Sequence, residues 1–233
     1  NFFLIRKRGT EALPAQAAGE ALGGAAKDTF FSAADALEAI EKLGFSYPFS
    51  SLTVVQAQTG RADGALGSAL VAVDADAKAD ELLAQMTRLC ARQIFGVQVE
   101  NDPWNAPWLS ETLASCVELM AYRQREGDAA YEKRFYDEIE IATRLTRPHG
   151  VVIGASTEHF GGDGEMTQVL RDAGAANLMG IEQAVGQEAF IRALQTYIAE
   201  NAGGIGSLEA LESALERETG SDWSGYLADM LAS

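Results

Sequence analysis

Two stretches decide how this chain is read: Arg88-Leu89-Cys90-Ala91-Arg92-Gln93-Ile94-Phe95-Gly96, and after it Trp108-Leu109-Ser110-Glu111-Thr112-Leu113-Ala114-Ser115-Cys116-Val117-Glu118. Each lies in a segment of helical period. At ~100° per residue the 79–95 segment gathers Leu82, Leu83, Met86, Leu89, Cys90 and Ile94 on one arc, with Glu81, Gln85, Arg88 and Arg92 on the other. The 109–126 segment places Leu113, Cys116, Val117 and Met120 opposite Glu111, Ser115, Glu118 and Tyr122. Periodicity alone predicts that both polar stripes face water.

Outward from these helices the chain divides into two portions. Residues 1–77 mix strand and helix. Asn1 to Ile5 reads as a strand, Ser51 to Ala57 alternates as a half-buried strand does, and Ala69 to Val73 reads as another. Phe30, Ala34, Leu37, Ile40 and Leu43 keep helical spacing, and Gly44 is a plausible stop. Ala15 to Ala26 carries no pattern. Residues 78–233 are mainly helical, with segments near 79–95, 109–126, 128–145, 166–185, 187–200, 207–219 and 222–231. Ser207 and Ser221-Asp222 stand where N-caps belong, and Gly220 where a C-terminal glycine belongs. The order predicts an α+β fold, a small mixed β-sheet followed by a mainly helical portion, together one domain.

Composition narrows the functional classes. Of 233 residues 47% are apolar and 22% charged, which suits a packed globular unit, and no run reaches the ~18 apolar residues of a membrane span. Eighteen Lys and Arg against 34 Asp and Glu give a net charge of −16, with no basic block longer than Arg6-Lys7-Arg8. Nucleic acid is therefore not the expected partner. Cys90 and Cys116 form neither a disulfide framework nor a paired metal motif. They fall on the apolar arcs, where a small buried thiol is ordinary. His149 and His159, the only histidines, lie beside Pro148 and a glycine cluster, and read as surface loop positions.

The two quoted stretches resemble the core of the aminopeptidase N-like gluzincins, a family of zinc metallopeptidases (peptidase family M-one). That family carries H-E-x-x-H-Q-W-F-G and then W-L-N-E-G-F-A-S-Y-V-E, with eighteen residues between the second His and the ligand Glu. Here eighteen residues, 93 to 110, separate Arg92 from Glu111. The likeness continues through Ile181 to Phe190 and on to Trp223, and covers most of the chain from about Ser51. It implies a zincin, thermolysin-like catalytic-domain fold, with the family's large N-terminal β-domain absent.

The resemblance also implies what is missing. Family chemistry needs two imidazoles at i and i+4 and a carboxylate from a second helix around Zn²⁺. Both imidazole positions are arginines here, Arg88 and Arg92, and guanidinium has no lone pair to donate. The general-base Glu is Leu89. Of the ligands only Glu111 is kept. The G-A-M-E-N loop matches Gly64-Ala65-Leu66-Gly67-Ser68, so Gly67 replaces the Glu that grips a free amine, and the family's stabilising Tyr aligns with Arg171. The expectation is a degenerate, catalytically inactive peptidase-like domain, with no cofactor, acting in binding or as a structural module of a larger protein.

In such a site Arg88 and Arg92 would point at Glu111, with Glu118 taking up further charge. A second use of Arg88, Arg92 and Arg171 would be to hold anionic peptide ends. The alternative is an atypical zinc aminopeptidase or metallohydrolase using Cys90, Cys116, His149 and His159. Members of the family also occur joined to bacterial membrane transport proteins, and a chain that opens abruptly at Asn1 suits an anchor of that kind outside it.

Overall fold

The computed structural model describes residues 2–6, 25–57, 65–74, 77–140 and 150–233. Within them the order is β1 (Phe2–Arg6), α1 (Ala25–Lys42), β2 (Ser51–Ala57), β3 (Ala65–Gly67), β4 (Leu70–Asp74), α2 (Ala79–Gln93), α3 (Pro107–Glu126) and α4 (Asp128–Arg134). There follow α5 (Asp163–Met166), α6 (Gly174–Val185), α7 (Gln187–Asn201), α8 (Leu208–Thr219) and α9 (Ser224–Ala232). The α+β order expected from the sequence is the order observed.

The four strands form one mixed sheet in the order β1-β2-β4-β3, with β2 and β4 parallel and both outer pairs antiparallel. Period-2 alternation decides its buried face: Leu52 and Val54 of β2 and Val71 and Val73 of β4 have no exposed surface. β3 is an edge strand, where the resemblance placed the peptide-amine loop; Gly64 of that match lies outside the described residues. α1 packs on α2, and α2 in turn on α3. Gly44, at φ +90°, ends α1 in a conformation that favours glycine.

A side chain of α2 fixes the tip of the sheet. The Gln93 amide donates to Gly67 O at 2.9 Å and its carbonyl accepts from Ala69 N at 3.0 Å. Ala69 sits in this turn at φ +54°, the one left-handed non-glycine among the described residues.

In three of the segments read as regular helix the backbone turns π-helical; residues 141–145 of the second lie outside the described residues. α2 runs on into a π-helical turn at Ile94–Gln98, α4 into one at Phe135–Glu140, and the segment expected at 166–185 is π-helical over Thr167–Ala173. A π turn holds one residue more per turn, which a 3.6-residue template does not register. Ser207 caps α8 as expected, its hydroxyl accepting from Ala210 N at 3.2 Å, and Gly220 takes the left-handed position after that helix. At α9 the cap falls one residue later than read: Asp222 accepts from Ser224 N and Oγ, and the N-cap is Trp223.

Candidate functional site

α3 is the helix around which the site is built. Every residue from Pro107 to Ala121 is buried. Its polar stripe therefore does not face water, contrary to what periodicity alone predicts. Glu111 is 8% exposed, Ser115 and Glu118 5% each, and Gln85 of α2 also 5%. Glu81, at the start of α2, is exposed, and Arg88, Arg92 and Tyr122 are partly buried. A buried carboxylate must be paired, and the partners come from several elements.

Glu111 receives two guanidiniums. Arg92 Nη2 lies 2.7 Å from its Oε1, and Arg171 Nε donates to its Oε2 at 2.9 Å. The Arg171 side chain is 7% exposed and that of Arg92 22%. Both carboxylate oxygens are thus engaged by charged donors, from α2 on one side and the π segment on the other. Arg88, one turn before Arg92, lies where its charge acts on the Asp172 carboxyl.

Glu118, two turns along α3, holds Arg134 in a forked pair, Nη1 to Oε1 at 2.7 Å and Nη2 to Oε2 at 3.3 Å. The Arg134 guanidinium also lies over the Tyr122 ring, 4.5 Å from its centroid. Asp172 sits among these charges. Burial pushes its carboxyl up to about 6, while Arg88, Arg171 and Arg134 oppose the rise and Glu118 adds to it. Of the residues singled out in the sequence, Arg92, Arg171 and Glu111 meet directly, and Glu118 is joined to them by proximity along α3. Arg134 and Asp172 were not legible there.

Chemically this is a network of opposed charges rather than a set of Lewis-base ligands. The i and i+4 positions of α2 carry guanidiniums, and the carboxylate from α3 is already ion-paired at both oxygens. These residues do not fit a zinc ion. Among the described residues no group of three His, Cys, Asp or Glu side chains stands close enough to hold a metal. Cys90 and Cys116 are fully buried, and burial pushes the Cys90 thiol up to about 12 and that of Cys116 higher still. His159 is exposed, its Nδ1 2.8 Å from Ser156 Oγ, and His149 lies outside the described residues.

Comparison with solved structures gives the arrangement its relatives. An M1 zinc metallopeptidase from Deinococcus radiodurans is similar over 99% of this chain and 51% of its own, at TM-score 0.64 and 20% identity. A mutant of that enzyme bound to a Tyr-Ser-Ala substrate matches over 90% and 44%, at 0.63 and 22%. The fold is M1-peptidase-like. Native yeast LTA4 hydrolase matches at a TM-score of 0.67 and 14% identity, over 86% of this chain and 35% of its own. The chain thus spans about half the length of the M1 metallopeptidase and about a third of LTA4 hydrolase. No family model and no curated protein sequence matches it significantly.

Proposed function

We propose that this chain is a peptidase-like domain that neither holds zinc nor cleaves peptides, and that it serves a larger protein as a binding or structural module. One observation carries this reading. The α3 carboxylate at the position of a metal ligand has both oxygens in ion pairs with Arg92 and Arg171. A cation approaching Glu111 would have to displace two guanidiniums and then find no lone pair on Arg88 or Arg92. Leu89, at the general-base position, cannot move a proton. The network's own carboxylates face its arginines, which favours a structural role for the cluster over an open anion site.

Elemental analysis after incubation with zinc and dialysis tests the proposal. Less than about a tenth of an equivalent of bound zinc, with a melting temperature unaffected by chelator, is expected. One tightly held zinc per chain would overturn it. The second use of these guanidiniums, capture of anionic peptide ends, is read by titrating the domain with an acidic peptide carrying a free carboxyl terminus. Saturable binding lost in Arg92→Gln would shift the reading from structural to binding module.

A further inference from the structure

The run from Asp163 to Val185 is continuous helix whose middle seven residues, Thr167–Ala173, are π-helical. π geometry is rare and usually confined to a single turn, so it needs support from outside the helix. Two such contacts come from α3, and they are adjacent in sequence on both sides. Thr112 Oγ1 donates to Leu170 O at 2.7 Å in a wholly buried hydrogen bond, and Glu111 accepts from Arg171 Nε at 2.9 Å.

We propose that Thr112 is a positioning residue whose hydroxyl fixes the π register of residues 167–173 and through it holds Arg171 on Glu111. The inference rests on the ion-paired reading of Glu111, and is independent of whether the domain is catalytically inactive. The physical case is one of register. A slip of one residue toward α-helical geometry turns a side chain by about 100° round the helix axis, which would carry Arg171 off Glu111. The Leu170 carbonyl is buried, and Thr112 gives it a donor in the π register. The approach is close because residue 174 has no side chain: a Cβ there would lie 2.4 Å from Thr112 Oγ1. Leu170 and Val169 are fully buried, so the segment cannot turn without moving core side chains.

The test compares Thr112→Val, which keeps the shape and removes the donor, with Thr112→Ser, which keeps the donor. Two signals are read in the whole chain: backbone amide exchange over residues 167–173, and the NMR resonance of the Arg171 Nε proton. Wild type should show a slowly exchanging Arg171 Nε proton. T112V should speed backbone exchange there on the order of tenfold, as expected for one lost buried hydrogen bond, and remove the slow Nε signal. T112S should keep both. Should T112V fail to fold, Thr112→Ala is read in its place.

Wild-type exchange in T112V, or equal loss in T112V and T112S, overturns the proposal. Faster backbone exchange with the Arg171 signal retained overturns it too, because the hydroxyl would then hold the helix without holding Arg171. Absence of the slow Nε signal in wild type would instead defeat the ion-paired reading itself.

Discussion

Glu111 is held between guanidiniums from two different elements, so its removal has an asymmetric cost. In Glu111→Gln the side chain keeps its shape, but Arg92 and Arg171 face each other across a neutral amide in a largely desolvated setting. Breaking one partner of a buried charge set typically costs about 3 kcal/mol, and urea unfolding of E111Q should show a loss of that order. Asp172 behaves in the opposite sense. Its folded carboxyl is raised from 3.8 to about 6, so the folded state binds the proton more tightly than the unfolded one. Its contribution to stability is present in full below about pH 4 and is lost as pH rises through about 6. Stability of the wild type relative to Asp172→Asn should therefore fall between pH 4 and pH 7, measured as the difference between parallel urea titrations; a pH-independent difference would contradict it. The resemblance of the two motifs and of the stretch around Arg171 was what marked Arg88, Arg92, Glu111, Glu118 and Arg171. Arg134 and Asp172 escaped it because no helical period says which face of α4 or of the π segment turns toward α3.

Elements were legible where one face is apolar and the other wet. β2 was read to the residue, and α1, α7 and α8 within a few residues, because each contrasts a core face with a solvent face. α3 defeats that logic. A helix buried through fifteen consecutive residues has no wet face, so its polar stripe marks the place where other elements bring charge, not the place where water lies. The link between α2 and the sheet was likewise invisible. Gln93 reads as an ordinary polar residue near a helix end, yet its side chain closes the β3–β4 turn at Gly67 and Ala69. In Gln93→Ala the Ala69 N–H and the Gly67 C=O both lose that partner, and Ala69 keeps its left-handed strain. The variant should lose about 1–2 kcal/mol of stability, and amide exchange at Ala69 should accelerate well beyond that of neighbouring strands. Unchanged exchange at Ala69 would mean that strand pairing alone holds the turn.

Over the whole molecule, charge is divided unequally between inside and outside. The net charge is −16, yet the buried site brings together Arg88, Arg92, Arg134 and Arg171 with Glu111, Glu118 and Asp172, so the negative excess lies elsewhere. Exposed pairs such as Lys42–Glu38 and Lys133–Asp137 stabilise the fold little against the repulsion of that excess, since surface ion pairs contribute from nothing to about 1 kcal/mol. Two opposed salt effects follow. Self-repulsion of the surface opposes folding and is screened within about 10 Å at 0.1 M salt, whereas the pairs around Glu111, shielded by the core, are screened far less. Added sodium chloride should therefore raise the melting temperature of the chain, most steeply below about 0.1 M, where the screening length changes fastest. The stability difference between wild type and E111Q should stay nearly constant over the same range. A melting temperature that falls with salt would mean that surface pairs outweigh repulsion. A shrinking E111Q difference would mean that water reaches the Glu111 pairs, and would count against a buried network as the organising feature of this site.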